Sequence, residues 1–132
     1  MSRLIGLPVL LVLLLGCGAP QNPNCELTYP LEIGPLTATA DHTASPPGNQ
    51  VQFQASVSPY SNVPGCAVPE YIAIVYATWS LSDPIDAQIS SAANSTNGLA
   101  SCVNSATNPI TVTATYTANG TTQTRTASLT CK

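Results

Sequence analysis

The fold class is decided by eight residues, ITVTATYT at positions 110–117, in which apolar and polar side chains alternate without interruption. A period of two residues buries one side-chain set and exposes the other, as in an antiparallel strand. The stretch VQFQASV at 51–57 has the same pattern. Asn119-Gly120 joins the first stretch to another alternating segment, which predicts a β-hairpin. The centre of the fold is therefore predicted to be an antiparallel sheet.

Other segments complete the predicted fold. Further strands are predicted at 36–40, 72–81, 85–90, 99–102 and 123–131, separated by loops rich in proline, glycine, serine and asparagine. About seven short strands around a single tryptophan indicate an all-β, two-sheet sandwich. A small closed β-barrel is the alternative architecture. A chain of 132 residues has room for one such domain.

The composition excludes two large classes of protein. Charged residues make up 7% of the chain, against about 25% in an average soluble domain. The scarcity of the helix formers Glu, Lys, Arg and Met excludes a helical bundle. Three basic residues and a net charge of −3 provide no surface for binding a phosphate backbone, so no nucleic-acid partner is expected.

The N-terminus has the organisation of an export signal. One arginine precedes an apolar run over residues 4–15, which is too short to span a bilayer. The run ends in LLGC at positions 14–17, which resembles the lipobox of bacterial lipoproteins. The resemblance implies a signal peptide over residues 1–16, lipidation of Cys17, and a lipid anchor in the bacterial cell envelope. Glycine at position 18 implies the outer membrane under the Gram-negative sorting rule.

On this interpretation, residues 17–33 are the lipidated cysteine and its tether, and residues 34–132 are the folded domain. The tether is polar and contains prolines. Two other interpretations of the N-terminus stay open. The first is an ordinary secretory signal with a cysteine present by chance, and the second is a buried helix of a cytosolic domain.

A motif around the tryptophan makes the fold prediction more specific. The segment ATWSLSDP at 77–84 resembles the W-S-S-S-D-P signature of group 2 bacterial immunoglobulin-like domains. Matching segments follow in the family's order: DAQIS at 86–90, NGLA at 97–100 and TVTAT at 111–115. The resemblance covers about residues 36–130 and implies an immunoglobulin-like sandwich with a binding or adhesion role. The chain departs from the family in carrying several cysteines and in being a single domain.

Four cysteines besides Cys17 indicate two disulfides, since the chain is predicted to be exported. They allow three connectivities, and their wide spacing argues against a zinc site. The strand order of the family that the chain resembles implies one of the three. It places Cys25 at the same end of the sandwich as Cys66, and Cys102 at the same end as Cys131.

The predicted core is built around Trp79, with Phe53 and Val112 on the inner faces of neighbouring strands. Trp79 is in phase with the apolar residues two positions away on each side, so its ring is expected to fill the space between the sheets. Ser82-Asp83-Pro84 is expected to end this strand, because proline cannot donate to a sheet and aspartate can cap a turn.

Catalytic chemistry is not indicated. The single histidine, His42, lies in a predicted loop that offers no rigid neighbour for a nucleophile. Asp83 and Asp86 are the only acids close together, and an Asx turn explains them better than a calcium site. We therefore expect no enzyme activity, no catalytic residue, no metal and no cofactor.

The function predicted from the sequence is that of an envelope-anchored, non-catalytic binding or adhesion module with a protein or glycan partner. Tyr60 and Tyr71 border a proline-rich loop and are candidate ligand contacts, unless their rings pack locally and only hold the loop in place. One alternative is a structural accessory subunit of an envelope complex that contacts its partner through a sheet edge. The other is a carbohydrate-binding accessory protein.

Overall fold

The computed structural model describes residues 22–132, and this part of the chain is all-β with no helix. It contains ten strands, which are β1 (Leu31–Gly34), β2 (Thr37–Ala40), β3 (Gln50–Gln52), β4 (Gln54–Val57), β5 (Ala73–Val75), β6 (Thr78–Leu81), β7 (Ala87–Ile89), β8 (Leu99–Cys102), β9 (Ile110–Ala118) and β10 (Thr121–Cys131).

These strands form three open sheets. The first sheet has the order β1-β4-β5, the second β2-β10-β9-β6 and the third β3-β8-β7. The hairpin of β9 and β10 is the longest ladder, and its register runs from Ala118 opposite Thr121 to Ile110 opposite Leu129. Strand β2 pairs with β10 in parallel, whereas the other strand pairs are antiparallel.

One hydrophobic core joins all three sheets, as in a sandwich. The structure places Phe53 and Val112 in this core with no exposed surface, and Trp79 is 5% exposed. The rings of Phe53 and Trp79 lie 6.2 Å apart at their centroids. Small alanines on the inner faces leave room for the indole, so large and small side chains interdigitate.

The alternating segments form strands where the sequence predicts them. Strand β8 has the predicted bounds, and β9 and β10 extend their predicted segments by one and two residues. The predicted strand over 72–81 is divided into β5 and β6, because the chain crosses from the first sheet to the second at residues 76 and 77. The stretch 51–57 is likewise divided at Phe53 between the third and first sheets.

Strand β1 was not predicted from the sequence. It lies in the segment that the sequence interpretation assigned to the tether, yet Leu31 is fully buried and pairs with Val57 of β4. The packed part of the chain therefore begins before residue 34. Only four residues separate Pro30 from Pro35, and so short a stretch carries too little periodicity to identify a strand.

Both disulfides implied by the strand order are confirmed. Cys25 is bonded to Cys66 with a Cα–Cα distance of 5.4 Å, and Cys102 to Cys131 with a distance of 5.6 Å. The second bridge joins β8 of the third sheet to β10 of the second sheet from buried positions. The first bridge fixes the segment before β1 to the loop between β4 and β5.

Asn97 holds the crossing between β5 and β6. Its side-chain oxygen accepts hydrogen bonds from the indole nitrogen of Trp79 (2.8 Å) and the backbone nitrogen of Ala77 (3.2 Å). Its side-chain nitrogen donates to the carbonyl oxygens of Ala77 and Ala92, both at 3.0 Å. The neighbouring Gly98 has a φ of 80°, and a Cβ there would lie 2.2 Å from the carbonyl oxygen of Phe53. Asn97-Gly98 therefore packs against the core as well as forming a turn.

Candidate binding surface

Three large apolar side chains project from β5 and its flanks into solvent. Ile72 is 75% exposed, Ile74 is 65% exposed and Tyr76 is 59% exposed. The alternation explains their shared direction, because Ala73 and Val75 between them pack against the core. We call these three residues the β5 stripe. A stripe of this length extends for about 13 Å along the strand.

The stripe lies at the edge of a sheet. Strand β5 is the terminal strand of the first sheet and pairs only with β4 among residues 22–132. Edge strands of monomeric proteins are commonly protected by charged side chains, proline or a bulge. Residues 71–82 contain no charged residue, no proline and no glycine. The free edge of β5 therefore offers backbone hydrogen-bonding groups, and the outward face of the strand offers apolar side chains.

The stripe has a recess at each of its two ends. Ser56 of β4 is directly opposite Ile74. One shallow recess lies at the Ile72 end, and its lining includes Val68, Pro69, Tyr71 and the acidic Glu70. A second recess of about 280 Å³ lies at the other end, and it is lined by side chains that include Gln54, Ile74, Tyr76, Asn94 and Ser95. An extended segment laid along β5 would meet a recess at each end.

The structure brings Tyr60 and Tyr71 to one end of the domain, together with a third tyrosine. Tyr60 forms an isolated backbone bridge with Thr28, which precedes Tyr29. The Tyr29 hydroxyl lies close to that of Tyr71 and raises the pKa of the Tyr71 hydroxyl. All three rings are exposed, by 43% for Tyr29, 56% for Tyr60 and 49% for Tyr71. We call these three residues the tyrosine end.

Sequence reasoning missed Tyr29 because it lies in the predicted tether. It also missed the β5 stripe, since the pattern of residues 72–81 predicts one strand in which Val75, Ala77 and Trp79 face inward. The signal was nevertheless present in the sequence. Apolar residues occupy both faces of this strand, and a strand at the edge of a sandwich needs only one apolar face.

The remaining candidate residues have local structural roles. The His42 backbone nitrogen donates to the carbonyl oxygen of Lys132 at 3.0 Å, and its ring contacts the same oxygen. The Asp83 carboxylate accepts hydrogen bonds from the backbone nitrogens of Ile85 and Asp86, at 3.0 and 3.2 Å, and so forms the expected Asx turn. Within residues 22–132, no three His, Cys, Asp or Glu side chains are grouped so that they could hold a metal ion.

A second Asx-type turn lies beside His42. The Asp41 carboxylate accepts hydrogen bonds from the Thr43 hydroxyl at 2.7 Å and from the Thr43 backbone nitrogen at 2.9 Å. These bonds stabilise the ionised carboxylate and lower the pKa of Asp41. The turn fixes the loop that follows β2.

The predicted signal peptide and Cys17 lie outside the described residues. In the part of the chain that is described, no helix has the length and apolar character needed to cross a membrane. The sequence matches no protein-family model, and no curated protein is similar enough to it to count as a match.

Proposed function

We propose that this chain is a bacterial envelope lipoprotein, anchored by lipid at Cys17, whose immunoglobulin-like domain is a non-catalytic protein-binding module. The support for the anchor is the LLGC motif after a short apolar run. The support for the immunoglobulin-like assignment is the motif around Trp79, together with an all-β chain in which Trp79 lies at the centre of a core shared by three sheets. Binding, rather than catalysis, matches the local structural roles of His42, Asp83 and Asp86.

The observation that carries the binding role is the β5 stripe. A single exposed apolar side chain is ordinary on a protein surface, but a contiguous row on a short edge strand that has no charge and no proline favours an interaction site. Two isoleucines and a tyrosine in this row are more than half exposed. Burial of one such aliphatic side chain contributes about 1.5–3 kcal/mol, so covering the row provides substantial binding free energy.

The partner that fits this surface is an extended, uncharged segment of another protein, added as a strand beside β5. Backbone hydrogen bonds to the free edge would provide affinity, and alternate side chains of the partner would contact the row and the recesses at its ends. The part of the partner that covers the row is expected to be uncharged, because residues 71–82 contain no charge; the recess at the Ile72 end also contains Glu70. A contact of this kind also suits the alternative role, a structural subunit of an envelope complex.

Site-specific photo-crosslinking in the native envelope tests the proposal. A photoreactive amino acid replaces Ile74 in one variant and Thr126, an exposed residue of β10, in the control variant. We expect one discrete protein adduct from position 74 and none from position 126, with the crosslinked partner peptide identified by mass spectrometry. Equal adducts from both positions, or none from position 74, would contradict the proposal.

A further inference from the structure

The chain enters the domain at the tyrosine end. The side-chain nitrogen of Asn22, the first described residue, donates to the carbonyl oxygen of Pro64 at 3.4 Å. Three residues later, the Cys25–Cys66 bridge joins the chain to the same loop. The backbone bridge between Thr28 and Tyr60 follows. Strand β1 then runs away from this end, from Leu31 opposite Val57 to Gly34 opposite Gln54.

The distance from the proposed anchor to this end is short. Cys17 and Asn22 are five residues apart, and five residues span at most about 18 Å when fully extended. With a lipid on Cys17, the attachment point of the domain stays within that distance of the bilayer surface. The end of the domain that contains the Cys25–Cys66 bridge therefore faces the membrane. The bridge fixes the point where the chain enters the domain, so the tether cannot extend to another end.

The chemistry of this end suits the surface of an uncharged bilayer. Tyrosine is enriched where proteins meet the membrane–water interface, because its ring is apolar and its hydroxyl is polar. The rings of Tyr29, Tyr60 and Tyr71 are all substantially exposed here. The charged residues nearby in sequence are Glu26 and Glu70. Of the two basic residues of 22–132, Lys132 lies beside His42, and Arg125 lies in β10 two residues after Gln123, whose side-chain nitrogen donates to the carbonyl oxygen of Tyr29.

From these observations we infer that the tyrosine end rests on the membrane surface, with the rings of Tyr29, Tyr60 and Tyr71 in the headgroup region. The inference depends on the proposed lipid anchor at Cys17. It fixes the orientation of the domain, so that the β5 stripe leads away from the bilayer, starting at Ile72 and continuing to Tyr76. We expect that the contact does not depend on anionic lipid, because the charged residues closest in sequence to the three tyrosines, Glu26 and Glu70, are acidic.

Fluorescence quenching by brominated lipid tests the orientation. The full-length lipoprotein is purified from bacterial membranes and reconstituted into phosphatidylcholine vesicles whose acyl chains are brominated close to the headgroup. Tyr60→Trp and Tyr71→Trp place reporters at the tyrosine end. Ile85→Trp is the matched control, because Ile85 is 76% exposed and lies in the turn after β6, at the opposite end of that strand from the β5–β6 crossing. The native Trp79 is buried and gives the same background in each variant.

We expect most of the added fluorescence to be lost at positions 60 and 71 and to persist at position 85. Vesicles that also contain phosphatidylglycerol should give the same result. Protein that floats with the vesicles but shows equal quenching at the three positions would overturn the orientation and leave the anchor intact. Protein that fails to float, and has no acyl mass on Cys17, would overturn the anchor and the orientation that depends on it.

Discussion

Replacing Asn97 by alanine should destabilise the domain more than any other polar substitution in the loop between β7 and β8. The side chain is 9% exposed and makes four hydrogen bonds. Two of them are donated by Trp79 and by the Ala77 backbone, and the carbonyl oxygen of Ala77 accepts a third. Asn97→Ala therefore leaves three groups in or beside the core without their partner.

The expected loss follows from the cost of an unsatisfied buried group, which is about 1–3 kcal/mol. Neighbouring losses are not additive, and water entering the vacated space recovers part of the cost, so we expect a total of about 3–5 kcal/mol. A domain of this size has a total stability of about 5–15 kcal/mol. The midpoint of thermal unfolding should fall by about 12–20 °C.

The assay is urea unfolding of the purified, oxidised protein, followed by the fluorescence of Trp79 and by circular dichroism. The matched control is Asn94→Ala in the same loop. The exposed Asn94 side chain accepts hydrogen bonds only from the backbone and hydroxyl of Thr96. This control should lose about 0.5–1 kcal/mol. If Asn97→Ala is no less stable than Asn94→Ala, the Asn97 side chain does not hold the β5–β6 crossing and our description of the core is wrong.

Three further predictions concern the bridge, the anchor and the pH dependence. Replacing Cys102 and Cys131 together by alanine should cost about 3–4 kcal/mol, measured by urea unfolding against the oxidised wild type. Cys17→Ser should abolish labelling by an alkynyl palmitate analogue, and equal labelling of both forms would contradict lipidation at this residue. The Asp41 carboxyl should titrate below its ordinary pKa of 3.8, and Thr43→Ala should raise that pKa. The stabilisation from this turn is therefore full above pH 3.8 and is lost as the pH falls through the lowered pKa, which NMR titration measures.

The strands of the β9–β10 hairpin could be predicted from the sequence because the residue pattern that specifies them lies within the hairpin itself. Each inner-face residue is followed by a polar residue, and Asn119-Gly120 supplies the turn. The disulfide pairing could be predicted for a different reason. The strand order determines which strand ends lie at the same end of the sandwich. Cys102 at the end of β8 and Cys131 at the end of β10 are therefore neighbours once that order is assumed.

The features that sequence reasoning missed depend on the arrangement of the sheets. The division of residues 72–81 is set by the point where the chain leaves the first sheet for the second. An Asn-Gly pair predicts a turn, but only the neighbouring strands determine that Asn97 faces inward and meets Trp79. Exposure of Ile74 likewise depends on which face of β5 packs against the shared core, since Ala73 and Val75 occupy that face.

Binding of a protein partner by the β5 stripe can be decided from the size of the native complex after detergent extraction. Ile74→Glu places a charge in the stripe, whereas Thr126→Glu places one on the exposed face of β10. Both are surface changes and should alter the stability of the domain by about 0.5 kcal/mol or less. We predict that the wild type and Thr126→Glu elute with a partner protein, and that Ile74→Glu elutes without it. Identical elution of all three forms would contradict the proposed role of the stripe.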